Sequence, residues 1–302
     1  MKGIVSKSTG SWYKVLLGSN GNEIDARLRG KIRTLELKST NPVVVGDEVI
    51  LDFVDEEYTI KEICDRENCI VRKSNKLSKQ FQIIAANIDH AFLLASPANP
   101  HTPQGFIDRF LATAEAYHIS VSILLNKSDL DSKKANKHRE ELLNLYPNIS
   151  YPTHNVSFFD EQDIKVIKNL VAEKCVLLAG NSGVGKSTLI NALVPHSNQK
   201  VSEVSKSYHK GRHTTTFAQM FVGENGCRII DTPGIKDFGI VNIETHQVSH
   251  FFPEMRDLLS QCKFSNCLHT EEPQCRIREA VESGEISVTR YVSYLGILEE
   301  LS

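Results

Sequence analysis

The run Gly180-Asn181-Ser182-Gly183-Val184-Gly185-Lys186-Ser187 fits the pattern GxxxxGK[ST]. Its chemistry is anion binding. Glycines let successive backbone N–H groups turn inward around phosphate oxygens. Lys186 brings a point charge to the β- and γ-phosphates, and the Ser187 hydroxyl is placed to ligate Mg²⁺. Thr188, which opens the following helical stretch, is counted with the binding set. Downstream, Asp231-Thr232-Pro233-Gly234 has the DxxG form. There the Asp reaches Mg²⁺ through water and the Gly234 N–H meets the γ-phosphate. Between the two lies Gly211-Arg212-His213-Thr214-Thr215-Thr216, a segment in which one threonine would close over Mg²⁺ and the γ-phosphate. The residues do not say which threonine does so; Thr215 is favoured.

A base-reading element stands upstream. In Asn126-Lys127-Ser128-Asp129, an NKxD pattern, the Asp129 carboxylate can accept from both N1–H and N2–H₂ of guanine. Adenine offers no such donor pair, so the pattern selects GTP. Lys127 can lie along the base plane, and Ser157 is a second candidate contact to the base. The NKxD element precedes the phosphate loop, the reverse of the usual order in GTPases.

The elements that must position these residues are legible. Ala91–Ala95, Val121–Leu125, Cys175–Ala179 and Arg228–Ile230 read as buried strands, the first three apolar runs, broken only at Ser122, typical of a parallel sheet. Phe106, Ile107, Phe110, Leu111, Ala114 and Tyr117 recur at helical spacing after Pro103. Residues 71–250 therefore read as a doubly wound α/β sheet, with the NKxD and phosphate loops at strand C-terminal ends. Residues 1–70 alternate short strand-like runs with turn clusters such as Gly18–Asn22, which predicts a small antiparallel barrel of the OB-fold type. Residues 251–302 read as helical, with Tyr291, Tyr294, Leu295 and Leu298 on one stripe and Ser287 as N-cap.

That last region also carries Cys262, Cys267, His269 and Cys275 in the spacing C-x₄-C-x-H-x₅-C. Three thiolates and an imidazole make a closed tetrahedral zinc site, structural rather than catalytic. Cys64, Cys69, Cys175 and Cys227 show no such grouping. An odd total of seven cysteines fits a reduced compartment better than a disulfide framework. With neither an apolar leader nor a membrane-spanning run, the chain is expected to be cytoplasmic, without membrane contact and monomeric.

The net charge of −2 over 302 residues excludes a globally basic nucleic-acid binder. Any RNA contact must be local. Arg27, Arg29, Lys31 and Arg33 alternate with Leu28, Gly30 and Ile32, so at strand period the four cations share one face, a ridge suited to RNA phosphates. Trp12 and Tyr13 could offer stacking surfaces, with at least one of them a candidate for the core. Arg72, Lys73, Lys76 and Lys79 form a second basic stretch, and Lys206, His209, Lys210 and Arg212 a third.

With these motifs in their reversed order, the chain resembles the circularly permuted GTPases of the RsgA (YjeQ/YloQ) type. The resemblance runs over essentially the whole length. It includes Lys7–Tyr13, Leu28–Lys31, Asn41-Pro42-Val43-Val44-Val45-Gly46-Asp47, Ala85-Ala86-Asn87-Ile88-Asp89 and the Cys/His cluster residue for residue. It implies an OB-fold, a permuted GTPase domain and a C-terminal zinc domain. It further implies late maturation of the 30S ribosomal subunit, contact with 16S rRNA, and GTP hydrolysis stimulated by the particle. Ile235, after Gly234, cannot orient an attacking water. Relatives similar to this chain place a His just before the switch I threonines, which makes His213 the candidate catalytic residue. A GTP-gated RNA-binding adaptor, with hydrolysis incidental, stands as the alternative.

Overall fold

The computed structural model describes residues 1–10, 12–18, 22–29, 42–73, 81–197, 218–232 and 243–301. The chain opens with five strands, β1 (Lys2–Ser8), β2 (Trp12–Leu17), β3 (Asn22–Leu28), β4 (Glu48–Val54) and β5 (Glu57–Ile63). They run β1-β2-β3-β5-β4, and β4 returns to β1, closing a barrel. Alternate residues Val5, Tyr13, Val15, Ala26, Val49, Leu51 and Ile60 fill its interior. The β3–β5 pairing is parallel. This departs from the expected all-antiparallel barrel for a topological reason: a ring with an odd number of strands cannot alternate direction all the way round.

A hairpin of β6 (Cys69–Lys73) and β7 (Phe81–Ala86) leads into an α/β sheet, continuous with the barrel where Lys7 pairs with Gln219. That sheet comprises β8 (His90–Ala95), β9 (Val121–Leu125), β10 (Thr153–Asn155), β11 (Cys175–Gly180), β12 (Gln219–Val222) and β13 (Arg228–Asp231). The order is β10-β9-β8-β11-β13-β12. The first five strands are parallel and β12 is antiparallel to β13. Both faces are covered, which is why the central strands β8, β9 and β11 are almost wholly apolar rather than alternating. On one face Leu93, Ile123 and Leu177 pack with Ile107, Phe110 and Leu111 of α1 (Gln104–Ala116) and Leu142 of α2 (Lys133–Leu145). On the other, Phe92, Val176 and Leu178 pack with Ile167 of α3 (Glu161–Val171) and Ile190 of α4 (Lys186–Leu193).

The stretches 42–47 and 85–89 find their explanation at the junction of barrel and sheet. The buried Asp47 carboxylate accepts from Val44 N (2.8 Å) and from Arg66 Nε (2.6 Å) and a terminal guanidinium nitrogen (2.8 Å). Gly46 (φ +93°) lies so close to β7 that an added Cβ would stand 2.0 Å from the Ala86 carbonyl oxygen. The Asn87 amide donates to Gly46 O (2.9 Å), and Asp89 accepts from Cys175 N (2.6 Å). Beyond the sheet, short helical turns lead to α5 (Pro253–Arg256), α6 (Arg276–Glu282) and α7 (Val288–Leu301). Ser287 stands at the α7 start and Tyr294 and Leu298 face the core. α7 lies on α1, where the fully buried Arg290 bridges Asp108 (2.9 Å) and Glu254 (2.6 Å).

Candidate nucleotide and metal sites

The phosphate loop leaves β11 at Gly180 and enters α4 at Lys186. Three of its glycines have positive φ: Gly180 (151°), Gly183 (79°) and Gly185 (110°). Each allows the backbone to turn its amides inward, and Gly185 caps α4. The Lys186 ammonium folds back onto its own loop, donating to Gly180 O (2.6 Å) and Asn181 O (2.9 Å). Burial lowers the Lys186 pKa, with the Asp231 charge opposing the shift. Burial likewise raises Asp231, with Lys186 opposing. The two charges thus share one desolvated place at adjacent strand ends, since Leu178 of β11 pairs with Asp231 of β13. Asp231 Oδ1 and Thr232 Oγ1 are buried without a hydrogen-bond partner among the described residues. A hydrated cation fits these orphaned oxygens.

The NKxD element follows β9 on the same edge of the sheet. Asn126 joins it to the phosphate loop: its amide donates to Val184 O (2.9 Å) and its Oδ1 accepts from Phe158 N (3.1 Å). Ser157 Oγ donates to Asp129 Oδ1 (3.0 Å), which fixes the rotation of that exposed carboxylate. Lys127 takes a left-handed conformation (φ 68°), its ammonium donates to Asn99 O, and burial lowers its pKa. Asn126, Lys127, Ser128, Asp129, Ser157, Gly180 to Thr188 and Asp231 therefore converge on one edge. His213, Thr215, Gly234 and Ile235 lie outside the described residues, as do Lys31, Arg33, Lys76, Lys79, Lys206, His209, Lys210 and Arg212.

Arg27 is outward-facing on the barrel but already engaged. It stacks 4.0 Å over the Trp12 ring and pairs with Glu57 (3.4 Å). Arg29, just past β3, pairs with Asp52 (3.8 Å). Trp12 is exposed and Tyr13 is buried in the barrel.

In the C-terminal region the ligand atoms of Cys262, Cys267, His269 and Cys275 lie within 4.8 Å of one another. His269 Nδ1 is 3.6 Å from the Cys262 sulfur and 3.4 Å from that of Cys275. A tetrahedral ion with ordinary Zn–S and Zn–N bonds separates such atoms by about 3.6 Å. The cluster can therefore hold a metal ion. Tyr294 donates to Leu268 O (2.7 Å) and Tyr291 to His269 O (2.6 Å), tying the knuckle to α7. The Glu272 carboxylate accepts from Leu268 N (2.7 Å) and Thr270 N (2.9 Å).

Some residues around the sites carry no sequence motif. Arg139 and Asp163 brace the base-reading loops, and each sits in a helix rich in charge where nothing marks it out. Arg290 had a signal: it lies one helical turn before Tyr294, on the buried stripe of α7, where a charge demands partners.

The RsgA N-terminal domain model matches residues 2–60 and the RsgA GTPase model residues 63–241. A protein of Phocaeicola vulgatus named small ribosomal subunit biogenesis GTPase RsgA is 45% identical over 302 residues, covering 99% of this chain and 97% of its own. The protein of that name from Christiangramia forsetii is 47% identical, covering 99% and 96%. Among solved structures, YjeQ from Thermotoga maritima superposes with a TM-score of 0.79 at 32% identity, covering 99% and 98%. YloQ, described as a circularly permuted GTPase, gives 0.75 at 29%, covering 99% and 94%. A base-reading loop that precedes the phosphate loop yet meets it through Asn126 is the permuted arrangement, and the chain belongs to the RsgA GTPase family of GTP-hydrolysing enzymes.

Proposed function

We propose that this protein binds the 30S subunit and its 16S rRNA during late maturation of that particle and hydrolyses GTP to GDP and phosphate when the particle stimulates it. The observation that carries this is the single nucleotide edge built by Asn126 between the base-reading and phosphate loops, in a chain whose relatives are named for small-subunit biogenesis. Asp129, with Ser157 and Lys127, reads guanine. The loop Gly180 to Ser187, with Thr188, holds the phosphates, and Lys186 offsets their charge. Mg²⁺ would be held by Ser187 and Thr215, with Asp231 acting through water, and supplies charge neutralisation at the phosphates. Gly234 meets the γ-phosphate through its N–H. His213 orients the water that attacks the γ-phosphorus as the bond to the β-phosphate oxygen breaks.

The metal of the Cys262, Cys267, His269 and Cys275 cluster is read as one structural Zn²⁺, in keeping with its thiolate-rich donor set. The chain divides into an OB-fold at 1–70, the permuted GTPase domain at 71–250 and the metal-binding region at 251–302. Arg27, Arg29, Lys31 and Arg33 are the RNA-contacting cations; the carboxylates now paired with Arg27 and Arg29 must be displaced first. The protein acts as a cytoplasmic monomer; among the described residues no helix is long and apolar enough to cross a membrane. Single-turnover GTP hydrolysis with and without 30S particles tests the reading. Strong stimulation is expected. Turnover indifferent to the particle, with binding indifferent to the nucleotide, favours the adaptor.

A further inference from the structure

Two charged side chains that belong to no nucleotide motif brace, respectively, the loop that carries Asp129 and the serine that bonds its carboxylate. The loop that carries Asp129 is a turn, closed by Leu130 N donating to Lys127 O (3.1 Å), with Lys127 left-handed. Such a loop can pivot, whereas a carboxylate that accepts two donors of one base must be held within about 0.5 Å.

Arg139 of α2 reaches this loop. One terminal nitrogen donates to Lys127 O (3.3 Å) and to Leu130 O (2.7 Å), the carbonyls on either side of Ser128 and Asp129. The other donates to Asn136 Oδ1 (2.7 Å), and the Asn136 amide is itself anchored on Asp131 (2.8 Å). Among the described residues no carboxylate pairs with Arg139, and its Nε is buried without a partner. The guanidinium is therefore placed for the loop carbonyls and not for an ion pair. Only a planar fork with several donors can hold the neighbouring carbonyls and Asn136 together.

Asp163 of α3 acts through that serine. Its Oδ2 accepts from Ser157 N (2.7 Å), and the Ser157 hydroxyl donates to Asp129 Oδ1 (3.0 Å). Asp163 is not needed as the cap of α3. Asp160 already fills that role, accepting from Gln162 N (2.7 Å) and Asp163 N (3.2 Å).

We propose that Arg139 and Asp163 are positioning residues for guanine recognition, aligning Asp129 with the 2-amino group as well as N1–H. This rests on the reading of Asp129 as the base contact. Inosine diphosphate lacks the 2-amino group, so the ratio Kd(IDP)/Kd(GDP) isolates the bond that alignment serves. The ratio is measured on the full chain by competition with a fluorescent GDP analogue. Arg139→Lys, which keeps the charge and loses the fork, and Asp163→Ala should each lower it by about three- to tenfold, the value of one hydrogen bond. Asp163→Asn, which keeps an acceptor, should retain the wild-type ratio. A general loosening of the fold would weaken GDP and IDP alike and leave the ratio untouched. An unchanged ratio in both Arg139→Lys and Asp163→Ala overturns the proposal while leaving the base contact standing. A wild-type ratio near one removes the base contact itself, and the proposal with it.

Discussion

At the scale of single residues Gly185 has no room for a side chain. A Cβ on Gly185 would stand 2.6 Å from Asn126 Nδ2 and 3.0 Å from the Phe158 ring, on a backbone with φ +110°. Gly185→Ala therefore displaces the amide that joins the two loops as well as straining the phosphate loop. We expect GDP affinity to fall at least about tenfold, with about 1–3 kcal/mol of strain added to the fold, read by nucleotide titration and a urea melt. The glycine's need for positive φ was legible in the motif. Its contact with Asn126 was not, because a local pattern specifies dihedrals and says nothing of a partner far along the chain. Arg139 was hidden for a different reason. It stands in Lys133-Lys134-Ala135-Asn136-Lys137-His138-Arg139-Glu140-Glu141, where every charge reads as a solvated face.

At the scale of elements, what could be read depended on how local the cause was. The Cys/His cluster was fully legible because its four donors fall within one short stretch and their chemistry dictates the spacing. The knuckle has little regular structure of its own: His269 (φ 59°) and Gln274 (φ 57°) are left-handed, and the path from Cys262 to Cys275 contains no strand or helix. The tyrosine hydroxyls of α7 hold it, and an ion bound to the four donors would fix its shape. A strong chelator should release one metal ion per chain and expose three further reactive thiols. It should also change the near-ultraviolet circular dichroism of Tyr291 and Tyr294 and lower Tm. Cys262→Ser should reproduce these changes without chelator. The barrel ridge was only half legible. Strand period places Arg27 outward, but its partner Glu57 arrives on another strand, and cross-strand carboxylates leave no trace in the alternation of β3.

Across the whole molecule, the three regions are tied by polar joints. Asn87, on the way from β7 to β8, donates to Gly46 O of the barrel, and Arg290 locks α7 to α1 and α5. The Arg290 guanidinium also lies 4.5 Å from the Phe252 ring centre, while Asp108 additionally accepts from Tyr146 (2.8 Å) and Ser293 (2.6 Å). Its two carboxylates hold the Arg290 pKa above its ordinary value in spite of burial, so it stays charged. Arg290→Met would leave Asp108 and Glu254 buried without a counter-charge. We expect a loss of about 3–5 kcal/mol in urea unfolding and faster hydrogen exchange in α7. α7, to which Tyr291 and Tyr294 tie the Cys/His knuckle, is thus fixed on α1, which packs against β8. The order of domains was legible from motif positions; these joints were not, because each pairs residues from separate regions of the chain.

Strand order also sets a timetable. His90 of β8 pairs with Val176 of β11, 86 residues later by subtraction (176 − 90). At about 5–20 residues per second, a growing chain spends roughly 4–17 s with β8 made and its central neighbour absent. During that interval one edge of an apolar strand is unpaired, the condition that invites wrong partners. In the unpermuted order the phosphate-binding strand is made first. Here the half that carries Asn126–Asp129 is synthesised early and waits, edge open, for the strand that completes it.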